Sequence, residues 1–414
     1  MSPRLAFASI AVLVACGPKA NPPGGDATGE CVNLQCQQVT CPNGGTTRLT
    51  GTVYAPTPTN PDPLPRVSVY VPNAPVLPFD PRVTCTTCST PLSGSPLVTA
   101  ESGVDGTFVL GNVPAGDNIP IVIQSGRWRR QVTVNITPCT DNALPAELSH
   151  LPRNRSEGDI PRMAIATGQL DSLECTLAKL IDPAEVGPPG SDARVHLYRL
   201  NGNDLATPVP SRAAMLADLQ NLLKYDLVML PCPSSEPFLA PEADNLKAYA
   251  DQGGRLYLTH HGSDWMDQHG VKYPNLVQFD RQPDPAVSQG TINTTFERAK
   301  VFADWLQFIG ATTTPGVIPI SSAQWHVDST MPPAQTWVAT ENPTTVQHLT
   351  FNTPVEVAPE NQCGRVLFSN FHVAPGSIGI FPQACTPGPL TPQEKLVEFM
   401  LFDVTSCVAP DVIL

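Results

Sequence analysis

The stretch from Tyr225 to Trp265 constrains this chain most. Tyr225-Asp-Leu-Val-Met-Leu-Pro-Cys232 has the make-up of a buried strand, and Pro241 to Gln252 has helical spacing. Gly253-Gly254 stops that helix, and Arg255-Leu-Tyr-Leu-Thr-His-His-Gly262 reads as a second strand tipped by two histidines. Strand, helix, glycine stop and strand make a βαβ unit, because parallel neighbours are joined by a crossover and not by a hairpin. Open parallel sheets carry their sites beyond the C-terminal ends of the strands. The tip therefore nominates His260, His261 and Asp264, with Ser263 and Trp265 beside them.

The same alternation recurs on both sides. Arg162 to Thr167 and Arg194 to Tyr198 read as strands, and Asp171 to Leu180 as a helix. Ser211 stands where an N-cap would, before a stripe of Met215, Leu216, Leu219, Leu222 and Leu223. Ala299 to Ile309 is an amphipathic helix stopped by Gly310, and Arg365 to Ser369 a strand leading into Asn370-Phe371-His372. Thr391-Pro-Gln-Glu394 is a capping box with proline at the first helical position. Residues 161–408 thus read as one α/β domain of flavodoxin-like type with a mostly parallel sheet. Residues 47–137 differ: Leu49–Tyr54, Val67–Val71, Thr107–Leu110, Ile119–Ile123 and Gln131–Ile136 suit short half-buried strands, with turn chemistry at Asp105-Gly106. That segment reads as an antiparallel β-sandwich, and 138–160 as a polar linker. The fold class is multidomain.

Met1 to Cys16 reads as an address. Arg4 and the amino terminus give a positive end, and Leu5 to Val14 an apolar run too short to span a bilayer. The run closes on Leu13-Val14-Ala15-Cys16, followed by Gly17, and resembles a bacterial lipobox. The resemblance implies a signal peptide over residues 1–15 and a lipid on Cys16 that anchors the chain to a membrane. Gly17, rather than Asp, resembles lipoproteins sent to the outer membrane of a Gram-negative bacterium, on its periplasmic or cell-surface face. Residues 16–46, rich in Cys, Pro and Gly, read as a flexible tether. A net charge of -13 argues against nucleic acid as a partner, and the cluster Arg127, Arg129 and Arg130 reads as a strand surface.

Twelve cysteines indicate an oxidising compartment. Setting Cys16 aside leaves an odd number, so at least one is free or pairs outside the chain. Spacing does not derive connectivity. The expected pairs are Cys85 with Cys88, Cys175 with Cys232, and Cys363 or Cys385 with Cys407.

Two resemblances add to this. Gly51-Thr-Val-Tyr, Pro65-Arg-Val-Ser-Val-Tyr-Val, Asp105-Gly-Thr-Phe-Val-Leu and Val113-Pro-Ala-Gly are similar to a carboxypeptidase regulatory-like domain, of the transthyretin-like and carbohydrate-binding-like kind. This implies a fold and no peptidase activity, since the segment holds no His-x-x-Glu zinc set. Tyr225-Asp-Leu-Val, Leu246-Lys-Ala-Tyr-Ala-Asp-Gln-Gly-Gly-Arg-Leu, His260-His261-Gly262 and Gly364-Arg-Val-Leu-Phe-Ser with His372 resemble the class I glutamine amidotransferase-like superfamily, within it the trehalose-utilisation-like proteins. That family's nucleophilic cysteine belongs at the tip where Thr259-His260-His261-Gly262-Ser263 stands, and it is absent.

Three chemical readings of the tip follow. Imidazoles with a carboxylate, His260 or His261 with Asp264 and His372, suit zinc or iron, and zinc is the candidate cofactor. One histidine oriented by Asp264 suits acid/base work, with Ser263 or Ser369 the nucleophile if any. The third reading is structural, with Trp265 covering the sheet edge, and Trp325, His326 and Trp337 either lining a mouth or packed in the core. Ser263, Trp265 and Asn370 are the candidate pocket residues. The expected function is a lipid-anchored envelope protein that binds or interacts without catalysis, with a glycan or envelope polymer as ligand. The alternative is a hydrolase or carbohydrate-active enzyme using the His/Asp cluster.

Overall fold

The computed structural model describes residues 31–234, 237–404, 406–409 and 414. The expected signal peptide over residues 1–15 and the expected lipidation site Cys16 lie outside the described residues. The N-terminal part is β-rich, built from β1 (Arg48–Thr52), β2 (Ser68–Pro72), β3 (Pro96–Glu101), β4 (Thr107–Gly111), β5 (Gly116–Ser125), β6 (Trp128–Ile136) and β7 (Asp141–Ala143). They form two sheets, of order β4-β1-β7 and β3-β2-β5-β6. Period-two burial along β4 and β6 sends Phe108 and Leu110 inward, where they share one apolar cluster with Val69, Val71, Ile121 and Ile123. Gly106 has φ +74°, and a Cβ there would lie 2.8 Å from the Val53 carbonyl oxygen, so the Asp105-Gly106 turn requires glycine.

Two strands are absent from the sequence reading. β3 is half-buried along most of its length and gives no alternation, and β7 is three residues long. β7 falls within the segment read as a linker and pairs in parallel with β1. Of the segment read as a tether, residues from Cys31 onward carry two disulfides, Cys31–Cys36 and Cys41–Cys139.

The C-terminal part is α/β. Its elements are β8 (Met163–Thr167), α1 (Leu173–Leu180), β9 (Val186–Gly187), β10 (Val195–Arg199), α2 (Arg212–Leu216), α3 (Leu219–Leu222), β11 (Leu227–Leu230), α4 (Ala240–Asp251) and β12 (Arg255–Thr259). There follow β13 (Val277–Phe279), β14 (Gln289–Ile292), α5 (Glu297–Phe308), β15 (Val317–Pro319), β16 (Val327–Thr330), β17 (Gln335–Ala339), β18 (Val346–Thr353), β19 (Gly364–Ser369) and α6 (Pro392–Val404). Ten strands make one mixed sheet of order β15-β14-β17-β18-β19-β12-β11-β8-β10-β9. The half from β19 to β9 is parallel, and β18, β17, β14 and β15 add antiparallel strands that the sequence reading lacks.

The βαβ unit forms as its residues dictate. β11 and β12 pair in parallel with Met229 opposite Tyr257. α4 carries Pro241 in its first turn, and Gly253 beyond its end has φ +101°. A Cβ on Gly254 would lie 2.4 Å from the Tyr249 ring, which explains the second glycine. One boundary is corrected. β12 stops at Thr259, and His260 to Met266 is a 3-10 helix that turns across the end of β11. A Cβ on Gly262 would fall 1.9 Å from the Leu230 carbonyl oxygen, so the chain passes there only as glycine. The Ser211 N-cap and the Thr391/Glu394 capping box both form, with Ser211 Oγ accepting from Ala214 N–H. The helix after Ser211 is split in two, and Asp218 caps the second piece.

The two parts share an interface, and the disulfides correct all three expected pairings, since Cys407 bonds neither Cys363 nor Cys385. Cys85 bonds Cys363 and Cys88 bonds Cys407, so the Cys85/Cys88 segment is stapled across to the α/β part instead of closing on itself. Cys175 bonds Cys385, leaving Cys232 a free, buried thiol and not a disulfide partner. Spacing could not show this, because partners lie 210 to 319 residues apart. Of the basic cluster, Arg127 crosses to the α/β part and meets Asp226 at 2.9 Å, whereas Arg129 is buried against Asp159 and the Phe79 ring. Trp128 packs edge-on against Phe402, and Trp305 Nε1 donates to the Pro63 carbonyl at 2.7 Å. No helix among the described residues is long and apolar enough to cross a membrane.

Candidate functional site

β11, β12 and β19 are adjacent and parallel, so their C-terminal ends lie side by side. β11 delivers Cys232, β12 delivers His260 and His261, and β19 delivers Asn370 and His372. The loop before β16 adds His326. His260 Nδ1 lies 3.2 Å from His372 Nε2 and 3.5 Å from Cys232 Sγ. The His260 ring centre is 4.0 Å from that of His261 and 5.6 Å from that of His326. His260 and Ser234, both non-glycine, have φ of +41° and +73°, a left-handed backbone that costs energy and gathers at functional sites.

Asp264 anchors the other side. Its Oδ2 lies 3.0 Å from His261 Nδ1, Gln268 Nε2 donates to the same oxygen at 3.1 Å, and Arg281 pairs with Oδ1 at 3.1 Å. His326 Nε2 is 3.5 Å from Asp264 Oδ1, yet neither nitrogen of this fully buried ring makes a hydrogen bond. An unsatisfied buried imidazole of this kind calls for a partner.

The electrostatics keep the imidazoles neutral. Burial, reinforced by neighbouring imidazoles, drives the His260 pKa down to about 2. Burial lowers His326 and His372 to about 4, with nearby carboxylates pulling weakly the other way. Burial pushes the Cys232 thiol up to about 11, countered in part by backbone N–H groups of Ser234 and His261. Neutral imidazoles are the form that binds a metal ion.

Of the residues nominated from the sequence, His260, His261, Asp264 and His372 come together. The expected pocket residues Ser263, Trp265 and Asn370 are all fully buried. Trp265 is fully buried in the core, and Ser263 Oγ donates to the His260 carbonyl at 2.8 Å. Asn370 Nδ2 donates to the Gln324 and Val346 carbonyls, both at 2.9 Å, so it ties down the loop that carries His326. Ser369 is no accessible nucleophile: it is fully buried, 2.9 Å from both Tyr257 OH and His348 Nδ1. Trp337 is fully buried in the core as well.

Two members were missed or misread. Cys232 was read as a disulfide partner because an oxidising compartment consumes thiols, and His326 as a mouth or core residue. Two sets of three could each hold a metal ion: Cys232, His260 and His372, and His260, His261 and His326. Within each set the ligand atoms all lie within 4.8 Å of one another. Nitrogen and sulfur ligands in this number suit zinc.

The chain is thus an α/β protein with a large mixed sheet, a β-rich companion part and a histidine-rich centre at the C-terminal ends of the sheet's central parallel strands. No family model and no curated protein sequence matches it. Among solved structures it is similar to a ThuA-like protein of Bacteroides uniformis, with 11% identity and a TM-score of 0.35 over 58% of this chain and 91% of that one. It is similar also to the cytoplasmic protein STM3548 of Salmonella typhimurium, with 11% identity and a TM-score of 0.31 over 61% of this chain and all of that one. The functional reading rests on the geometry above.

Proposed function

We propose that this chain is a lipid-anchored cell-envelope protein whose α/β part binds a divalent transition metal, zinc first, and uses it in hydrolysis of a glycan or envelope polymer. The observation that carries the metal is the convergence of thiol and imidazole ligand atoms around His260, all within 4.8 Å of one another in each set of three. A zinc ion with three protein ligands keeps a position for water, whose pKa it lowers toward neutrality. His261, partly exposed and held through Nδ1 by Asp264, would serve as the base for such a water. We read the β-rich part as a regulatory-like sandwich and the α/β part as an amidotransferase-like, flavodoxin-type domain without the family's nucleophile. The outer-membrane address belongs to the same proposal and comes from the lipobox resemblance.

Metal analysis of the purified full-length protein tests this reading. We expect about one zinc per chain, lost on His260→Ala with the fold intact by circular dichroism. A protein that neither carries nor takes up zinc or cobalt would end the metal reading. A binding role without catalysis is the second reading, and it rests on the carbohydrate-binding-like resemblance of residues 47–137. A glycan array silent for the whole protein counts against it.

A further inference from the structure

Resting on the metal reading, we propose that Cys232, His260 and His372 hold the ion, that Asp171 is the residue positioning them, and that His261 stays off the metal. Three observations favour this set over His260, His261 and His326. First, its atoms already face one another, with His260 Nδ1 at 3.2 Å from His372 Nε2 and 3.5 Å from Cys232 Sγ. Second, each ligand comes from the end of a neighbouring parallel strand, the stiffest support the fold offers, whereas His326 comes from a loop. Third, His261 Nδ1 is already engaged by Asp264.

The support behind the three ligands is built, and it converges on Asp171. This carboxylate, fully buried in the loop after β8, accepts from Val373 N–H and Ala374 N–H at 2.9 Å each, directly after His372. It is also hydrogen-bonded by the Thr259 hydroxyl, directly before His260. Thr259 Oγ1 in turn accepts from Cys232 N–H at 2.9 Å. One carboxylate thereby registers all three ligand-bearing tips. Gln393 Nε2 adds a bond to the His372 carbonyl at 2.6 Å. Outer partners of this kind orient ligands, and their removal weakens metal binding by about 10- to 100-fold.

Binding balances simply. The thiol of Cys232 gives up its proton, sulfur and the two imidazole lone pairs bond the ion, and one proton is released per metal. Water fills the remaining position.

The test uses full-length protein loaded with Co²⁺. We expect a near-ultraviolet sulfur-to-cobalt charge-transfer band, one proton released per ion, and loss of the band in Cys232→Ser with affinity reduced by about tenfold or more. Asp171→Asn should keep the band but lower affinity by about 10- to 100-fold, with Thr259→Val in the same direction and Thr259→Ser restoring wild-type binding. Cobalt bound without a thiolate band, and unaffected by Cys232→Ser, would overturn this ligand set while leaving the metal reading standing. An unchanged affinity in both Asp171→Asn and Thr259→Val would remove the positioning role. Absence of any binding by wild type would end both readings together. If Cys232→Ser does not fold, the wild-type spectrum decides alone.

Discussion

Replacing Glu398 by glutamine should stabilise this protein, and by an amount that depends on pH. Glu398 lies in α6, fully buried, with Lys395 Nζ 3.2 Å from Oε2 and no hydrogen-bond donor to Oε1. Lys395 is shared with Asp62 of the β-rich part, so its charge is only partly available to Glu398. Burial is the dominant influence and raises the Glu398 carboxyl to about 7, with Lys395 opposing it. In the unfolded chain the same group titrates near pH 4.3. The sign follows from which state holds the proton. Below about pH 4 both states are protonated and the native state keeps its full stability. Between there and about pH 7 the unfolded chain has lost the proton while the native one retains it, so stability falls as pH rises. The difference of roughly 2.7 pH units corresponds to about 3–4 kcal/mol. Glutamine mimics the protonated carboxyl at every pH. The advantage of Glu398→Gln over wild type should therefore grow by about 3–4 kcal/mol from pH 4 to pH 8, read by urea denaturation at each pH. A difference that stays constant across that range would show that Glu398 is ionised in the native state throughout, and the argument would be wrong.

Two further outcomes are expected. Removing Cys88–Cys407 with paired serines should cost about 4 kcal/mol, because the intact Cys85–Cys363 bridge leaves it closing a loop of only about 47 residues; a loss under about 1 kcal/mol in non-reducing urea titrations would contradict this. Cys16→Ser should move the protein from the membrane fraction to the soluble one, and unchanged retention in membranes would refute the lipid anchor.

Local chemistry made part of the fold readable in advance. Pro241 and Gly253 bound α4 for reasons of backbone geometry alone, and the Ser211 cap and Thr391/Glu394 box form as their residue types require. The antiparallel half of the sheet was not readable. β14, β15 and β17 are too short for an alternation to stand out, and β18 is buried on both faces except at Asn352. The strand expected to run through Gly262 ends at Thr259, and Gly262 then passes against the Leu230 carbonyl, a contact between chain segments that no local pattern records.

The candidate site divides along the same line. By itself the sequence determined that two histidines and an aspartate stand at the end of a buried strand, since strand period and glycine stops are properties of neighbouring residues. Only the tertiary structure decided that Cys232 remains a thiol facing His260, that His326 enters without a hydrogen bond, and that Asp171 connects all three strand tips. Those relations depend on which strands become neighbours and which cysteines find each other across 210 residues or more. Such choices are settled by packing the whole chain, and the energy that settles them is spread over contacts distant in sequence.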